Sequence, residues 1–206
     1  MSACGNKGLL VVVSGPAGSG KGTVLGELLR DGGYRFSVSA TTRAPRAGEV
    51  DGVNYHFLTR EEFEARIAAG EMLEYTEYCG NYYGTPKKEA LAVLESGCNL
   101  LLEIEVDGAT NVKRQYPDAV SIMLLPPSFA VQEARLRGRG TETEEKILER
   151  LSRTREEVPH VLEYDYVIYN HDGKASEAVA DIRAILRAER CTTRRNGDAA
   201  ARYFEI

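Results

Sequence analysis

The stretch LLVVVSGPAGSGKGT, residues 9–23, determines how the rest of the chain is interpreted. It begins with five apolar residues, as a buried strand of a parallel sheet does. A glycine-rich segment and Lys21 follow, in the pattern G-x-x-x-x-G-K. The next residues, TVLGELLR (23–30), have a helical pattern. A strand, a glycine loop and a helix in this order predict a loop that binds phosphate.

Each part of this loop has a physical role in binding an anion. Glycines let several backbone N–H groups point at one phosphate, and the helix that starts near Gly22 adds its positive end. Lys21 is expected to reach the outer phosphates as a point charge. Gly22 stands where serine or threonine usually follows the lysine, so Thr23 is the hydroxyl expected near a metal ion. The predicted nucleotide-binding residues are Gly15, Pro16, Ala17, Gly18, Ser19, Gly20, Lys21, Gly22 and Thr23.

The composition limits the class of protein. The chain has 206 residues, of which 43% are hydrophobic and 28% charged, as in ordinary globular proteins. It has no apolar run of the roughly 20 residues that a membrane helix needs, and its N-terminus does not resemble a signal peptide. A net charge of −5 disfavours general binding of nucleic acid. Four cysteines without a CxxC pair favour reduced thiols, so we expect a cytoplasmic protein with no membrane or nucleic-acid partner.

Apolar runs alternate with helical patterns along the chain, which is typical of a parallel α/β sheet. Buried strands are predicted at 8–15, 99–106, 119–125 and 164–170. Between residues 38 and 98 the pattern changes to short β-like pieces rich in tyrosine and glycine. We expect a β-rich insertion there, outside the parallel core.

Helix signals complete the predicted organisation. TREE (59–62) is a capping box. TPKKEALAVLESG (85–97) predicts a helix with Thr85 as N-cap and Pro86 at its first position. Residues 128–158 form a charged, arginine-rich helical pair with a thin apolar stripe, which is typical of a mobile lid. The sequence does not predict an oligomeric state or a role for the tail 191–206.

Two carboxylates lie at the end of the predicted strand in NLLLEIEVDG (99–108). Glu103 and Glu105 are two residues apart and therefore on one side of the strand, at the end where open α/β sheets bind ligands. Carboxylates there are costly unless they are paired or metal-bound, although a glutamate at the rim of the sheet is the simpler alternative. Glu105 is the candidate that orders Mg²⁺ through its water ligands.

A second anion site is predicted in the insertion, in SATTRAPRAGEVDGVNYHF (39–57) and EYCGNYYGTP (77–86). Arg43 and Arg46 lie three residues apart in a loop broken by proline, where both can bind one phosphate bidentately. Tyrosine hydroxyls from these segments can add donors, unless the tyrosines are only half-buried sheet residues.

The sequence resembles the guanylate kinase family over about residues 8–190. The resemblance rests on the phosphate loop and on TTRAPRAGE (41–49), GNYYG (80–84) and GRGTETEE (138–145). It implies an α/β fold with a three-layer P-loop NTPase core, a β-rich GMP-binding insertion and a helical lid. The implied reaction is ATP-dependent phosphorylation of GMP to GDP with Mg²⁺. The implied division is 1–37, 97–127 and 159–206 for the core, 38–96 for the GMP-binding region and 128–158 for the lid.

The resemblance also implies roles for individual residues. The GMP phosphate would be held by Arg43, Arg46, Tyr55 and Tyr83, with Glu49 steering an arginine. The family pattern puts Glu74 and Glu103 at the donor edge of guanine, and Ser39 and Thr85 at its O6. Arg135, Arg139 and Arg150 would close over the transferred group, and with Lys21 and Arg43 they are the predicted catalytic residues. Asn170 resembles the residue on the adenine side of ATP.

The chain departs from the family pattern at two positions that concern the metal. Glu105 stands where the family more often has aspartate, and Asp107 stands where glutamine is familiar. Two other functions are alternatives: a kinase-like domain that only binds proteins, and a kinase for another nucleoside monophosphate. Retention of Lys21 and Arg43 disfavours the first, and Glu74 disfavours the second. dGMP is a possible second acceptor.

Overall fold

A computed structural model describes residues 7–204 except 79, 139 and 141. The strands in that part of the chain are β1 (Leu10–Ser14), β2 (Tyr34–Phe36), β3 (Ala40–Thr41), β4 (His56–Phe57), β5 (Met72–Tyr78), β6 (Asn81–Pro86), β7 (Asn99–Glu103), β8 (Val120–Leu125) and β9 (Tyr166–Tyr169). The helices are α1 (Lys21–Leu29), α2 (Arg60–Ala68), α3 (Lys87–Glu95), α4 (Val106–Gln115), α5 (Phe129–Gly138), α6 (Glu144–Glu157), α7 (Ala175–Arg190) and α8 (Ala199–Phe204). A 3₁₀ segment, Val158–Glu163, follows α6.

The central sheet contains five parallel strands in the order β2-β7-β1-β8-β9. The four strands predicted from apolar runs are present as β1, β7, β8 and β9. The edge strand β2 was not predicted, because its three residues, YRF, are partly exposed and form no apolar run. The parallel α/β core expected from the sequence is therefore confirmed.

The apolar run of β1 is explained by burial on both faces of the sheet. Val11 and Val13 pack on one face against side chains of α1 and α7. Leu10 and Val12 pack on the other face against α3 and α4. Each such side chain contributes about 1.5–3 kcal/mol when fully buried. Helices on both faces of one sheet give the three layers and fix the carboxyl end of β1, where the phosphate loop begins.

The insertion contains a separate sheet in the order β4-β3-β6-β5. Phe63 of α2 is fully buried against Ala40 and Met72, and its ring stacks on that of Tyr82 with 5.2 Å between centroids. The capping box is confirmed: the Thr59 hydroxyl accepts from the Glu62 N–H at 3.2 Å, and the Glu62 carboxylate accepts from the Thr59 N–H at 2.8 Å.

The predicted N-cap at Thr85 is wrong. Strand β6 continues through Pro86, which occupies the N-cap position of α3 itself. The pairing of β6 with β5 points the Thr85 side chain at Glu74 instead of at the helix. Cross-strand pairing therefore overrides the local capping pattern.

The pair α5 and α6 packs on the phosphate loop. Leu136 of α5 and Ile147 and Leu151 of α6 form a small buried cluster with Ala17 beside it. The thin apolar stripe predicted for this pair consists of Ile147, Leu148 and Leu151, of which Leu148 is 54% exposed. Among the helices of the described chain, none is both long and apolar enough to cross a bilayer.

Candidate active site

The phosphate loop connects the end of β1 to the start of α1. Gly18 and Gly20 have φ values of 82° and 89°, which an L-residue adopts only with strain. A Cβ on Gly20 would lie 2.3 Å from Nδ2 of Asn170. That amide donates to the Ser19 carbonyl at 2.8 Å, and the Pro16 carbonyl accepts from the Ser19 N–H at 3.1 Å. The loop is therefore built around glycine and fixed by Asn170.

Helix α1 presents its N-terminus at this loop with no acidic residue in its first turn. Lys21 is its first residue, and its ammonium donates to the Gly15 carbonyl. Gly22 and Thr23 follow on the exposed side of the first turn. The positive helix end and Lys21 thus point to the same place, as anion binding requires.

A groove of about 760 Å³ opens beside the loop. The predicted site residues that line it are Gly15, Ala17, Lys21, Ser39, Tyr55, Glu103, Glu105 and Arg150. Residues that the sequence did not predict also line it, namely Lys146, Glu149, Arg153 and Glu157 of α6. The groove therefore brings together the phosphate loop, the insertion, the end of β7 and one side of α6.

Arg43, Glu49, Tyr55 and Tyr83 form one cluster in the insertion. Arg43 Nη2 lies 3.0 Å from Glu49 Oε1, and the other Glu49 oxygen accepts from the Arg46 N–H at 2.7 Å. The Arg43 guanidinium lies 5.5 Å from the centroid of the Tyr55 ring, and that ring packs edge-on against Tyr83 at 6.1 Å.

Glu49 orients this cluster. The hydrogen bond from Arg43 and then that from the Arg46 backbone lower the pKa of Glu49. The carboxylate therefore stays ionised and holds the Arg43 fork in place, while Tyr83 also hydrogen-bonds to Arg43.

Glu74 and Thr85 face each other across β5 and β6. The Thr85 hydroxyl donates to Glu74 Oε1 at 2.8 Å, and the Glu74 residue is only 2% exposed. Burial raises the pKa of Glu74 to about 7, because loss of water penalises the charged form more than the hydrogen bonds of Thr85 favour it. A buried carboxylate of this kind is suited to accept from paired N–H donors of a ligand.

Glu103 and Glu105 lie near Lys21, at the end of β7 and the N-cap of α4. Burial raises the pKa of Glu103; the charge of Lys21 opposes this rise and that of Glu105 adds to it. The pKa of Glu157 in α6 is also raised, first by burial and then by the charge of Glu105. Glu103, Glu105 and Glu157 therefore lie close enough to Lys21 in the groove to interact electrostatically.

This donor set fits Mg²⁺ held mainly by a nucleotide. Mg²⁺ prefers one or two carboxylates together with phosphate oxygens and water. Glu105 and the exposed hydroxyl of Thr23 are oxygen donors at the groove and the first turn of α1. Among the described residues, no group of three or more His, Cys, Asp or Glu side chains could enclose a metal alone. Phosphate oxygens would have to complete its coordination.

The predicted lid arginines have different surroundings. Arg135 donates to the Gly18 and Asn170 carbonyls at 3.1 and 2.7 Å and to Asp172 at 2.8 Å, so it lies against the phosphate loop and Asn170. Arg150 lines the groove and pairs with Glu142 at 2.7 Å. Arg139 lies outside the described residues.

One contact between lid and loop could not be anticipated from the sequence. Gln132 of α5 is fully buried, and its amide donates to the Ala17 carbonyl at 2.8 Å and to the Thr154 hydroxyl of α6 at 2.7 Å. A glutamine in a charged helix carries no signal of burial. By contrast, the spacing of Lys146, Arg153 and Glu157 relative to Arg150 could have placed them on one helix face.

Comparison with known proteins identifies the family. A family model for guanylate kinase matches residues 7–189. The guanylate kinase of Halalkalibacterium halodurans is 52% identical over 190 residues, covering 92% of each chain. That of Symbiobacterium thermophilum is 51% identical over 194 residues, covering 94% of this chain and 91% of the relative. The crystal structure of guanylate kinase from Anaplasma phagocytophilum is 36% identical with a TM-score of 0.72, covering 92% of this chain and 90% of that one. The chain belongs to the guanylate kinase family.

Proposed function

We propose that the groove holds both substrates of the reaction that the chain catalyses, the ATP-dependent phosphorylation of GMP to GDP. The main support for this proposal is that one groove is lined both by Lys21 of the phosphate loop and by Ser39 and Tyr55 of the insertion. Donor and acceptor phosphates can therefore meet inside it. Transfer between two bound phosphates needs this proximity more than any other catalytic feature.

On the donor side, the phosphate loop from Gly15 to Thr23 would bind the ATP phosphates through its backbone, and Lys21 would neutralise the outer ones. Asn170 would lie on the adenine side, which its hydrogen bond to the Ser19 carbonyl supports. Arg135 would act there too, since it already bonds the Gly18 and Asn170 carbonyls.

On the acceptor side, Arg43, Arg46, Tyr55 and Tyr83 would hold the GMP phosphate. The pairing of Glu49 with Arg43 supports this role because it orients the guanidinium before GMP arrives. Preorganised donors lower the cost of binding.

Four further residues would recognise the guanine base. Glu74 and Glu103 would accept from the N1–H and the exocyclic amine, and Ser39 and Thr85 would contact O6. The buried carboxylate of Glu74 supports its part most directly, whereas the Thr85 hydroxyl, which donates to Glu74, would have to turn in order to donate to O6. Glu103 is supported less, because it lies beside Lys21 and Glu105.

The transfer step needs no general base, because the acceptor phosphate is already anionic near neutral pH. Lys21, Arg43, Arg135 and Arg150, with Arg139, would position the phosphates and neutralise charge as the phosphoryl group moves in line. Mg²⁺, held by Thr23 and through water by Glu105, would supply further neutralisation of the phosphate oxygens. Closure of the lid over the groove would exclude water that could otherwise take the phosphoryl group.

The remaining expectations belong to the same proposal. The division into core (1–37, 97–127 and 159–206), GMP-binding region (38–96) and lid (128–158) is supported by the separate sheet of the insertion and the charged helical pair. A place in the cytoplasm is supported by the free thiols of Cys98 and Cys191. dGMP would serve as a second acceptor, and the reaction would recycle guanine nucleotides.

A coupled assay of ADP release tests the proposal. With ATP and Mg²⁺, the wild-type chain should phosphorylate GMP, dGMP more slowly, and AMP, UMP and dTMP hardly at all. Lys21→Ala should lower kcat by at least roughly a hundredfold, as loss of one preorganised donor does. Lys88→Ala, at an exposed position of α3, is the matched control and should behave as wild type. Binding of GMP without turnover would instead favour a protein-binding domain.

A further inference from the structure

One side of α6 faces the groove with charged residues only. Most of these residues are three, four or seven positions apart, which places them on one side of the helix. They are Lys146, Glu149, Arg150, Arg153 and Glu157. The family resemblance assigned a role only to Arg150.

Arg153 occupies the part of this face between Arg150 and Glu157. Along the helix axis it lies about 4.5 Å beyond Arg150 and about 6 Å before Glu157. Burial and then the charge of Glu105 raise the pKa of Glu157, while Lys21 and Arg153 both oppose that rise. Arg153 and Lys21 thus act on one carboxylate from different elements.

The opposite side of α6 keeps this face at the phosphate loop. Leu151 packs in the cluster that includes Ala17. The Thr154 hydroxyl accepts from Gln132, whose amide also donates to the Ala17 carbonyl. Leu151 and Thr154 therefore hold the opposite side of α6 against the phosphate loop. The side chain of Arg153 lies on the side that lines the groove.

The ion pair of Arg153 does not account for its place in the groove. Its Nε lies 4.0 Å from Glu149 Oε1, and the two side chains are 39% and 66% exposed. Exposed pairs of this kind contribute little to stability. Glu149 and Glu157 are instead suited to keep the guanidinium near the groove until phosphate oxygens replace them. A guanidinium binds such oxygens with two parallel hydrogen bonds.

We propose that Arg153 is a further substrate-binding residue, which contacts the terminal phosphates of ATP between Lys21 and Arg150. The proposal rests on the proposed function, because it takes ATP as the donor bound at the loop. It adds a cation from the lid at the place where the transferred phosphoryl group leaves the donor.

Arg153→Gln tests this inference, with Arg155→Gln as the matched control on the same helix. The Arg155 guanidinium lies 4.8 Å from the Phe129 ring centroid and is absent from the groove lining. Two quantities are measured: the Kd of a non-hydrolysable ATP analogue with Mg²⁺, and kcat/KM for ATP at saturating GMP. Arg153→Gln should weaken both roughly ten- to a hundredfold, as loss of hydrogen bonds to a charged group does.

Two further results are expected. Arg153→Lys should restore part of the loss, and the Kd of GMP alone should stay at the wild-type value. The inference is overturned if the analogue binds Arg153→Gln as tightly as wild type, if Arg155→Gln loses as much, or if GMP binding weakens equally. Absence of GMP turnover in wild type would contradict the proposed function, while the analogue titration would still decide the role of Arg153.

Discussion

Glu74 is a carboxyl group buried where water cannot solvate its charge, next to a threonine hydroxyl. Its pKa in the folded chain, about 7, lies above the ordinary value of 4.5, so folding favours the protonated form. The stabilisation from this neutral form is fully present below about pH 4.5 and is lost as the pH rises through about 7. This residue therefore lowers stability at the pH where the proposed binding of guanine would need its charge.

Glu74→Gln should remove this dependence on pH. Between about pH 5 and about pH 8 the wild-type free energy of unfolding should fall by about 2–3 kcal/mol relative to that of the variant. Urea titrations of both proteins across this range measure the difference. Parallel curves would show that Glu74 is already ionised at the lower pH in the folded chain.

Glu49 orients Arg43 and is itself partly buried, with 19% of its side chain exposed. Glu49→Gln removes the charge that holds the guanidinium but keeps the shape of the side chain. We expect the Kd for GMP to rise by about tenfold, as loss of a charge-assisted hydrogen bond does. Titration with GMP measures this, and Glu61→Gln, on the exposed first turn of α2, is the control. Equal affinities of wild type and Glu49→Gln would mean that Arg43 needs no such partner.

At this scale the sequence predicted the residue types of the site better than their partners. Arg43, Glu49 and Tyr55 lie within one short loop, so their proximity follows from the sequence itself. The contact of Thr85 with Glu74 depends on the register between β5 and β6, which residues near Thr85 in the sequence do not reveal. The burial of Gln132 likewise depends on packing between distant segments, which no local pattern shows.

At the scale of elements, Gly84 of β6 determines how closely β5 can approach. A Cβ at this position would lie 2.6 Å from the Glu74 carbonyl oxygen and 2.9 Å from the Tyr75 Cβ. Gly84→Ala should force the two strands apart at the Glu74–Thr85 pair. The expected cost is about 1–3 kcal/mol of stability, as for overpacking, together with a raised KM for GMP.

Thermal unfolding and steady-state kinetics check this prediction, with Gly26→Ala as the control. Gly26 lies within α1, and a Cβ there would meet no atom within 4 Å. Alanine should stabilise that helix by up to about 1 kcal/mol. Gly84→Ala with unchanged KM for GMP would show that the base site does not depend on the spacing of β5 and β6.

Some helices and strands could be predicted from the sequence more readily than others. The run in β1 is apolar at every position because both faces are buried, so a parallel core could be predicted from it. Strand β2 has only three residues with partial exposure and gives no such signal. In helix α6, the spacing from Arg150 could place Arg153 on the same face. The packing of Arg155 on Phe129 is a contact between two helices, which no local pattern shows.

At the scale of the whole molecule, we expect the insertion and the lid to move closer to the core when both substrates are bound. The groove of about 760 Å³ is open between them, and opposite charges on α6 and the phosphates would favour closure. Small-angle scattering should show a smaller radius of gyration with an ATP analogue and GMP together than with either alone. Lys21→Ala should show less compaction, and an unchanged radius in wild type would contradict closure.

Recognition of guanine by Glu74 is tested by the ratio of kcat/KM for GMP to that for IMP, in wild type and in Glu74→Gln. IMP lacks the exocyclic amine, so it cannot donate the second hydrogen bond to Glu74. Wild type should prefer GMP by roughly ten- to a hundredfold, the value of a hydrogen bond to a charged acceptor. In Glu74→Gln the ratio should fall below the wild-type value, with KM for ATP unchanged. The same ratio in both proteins would show that Glu74 does not recognise guanine.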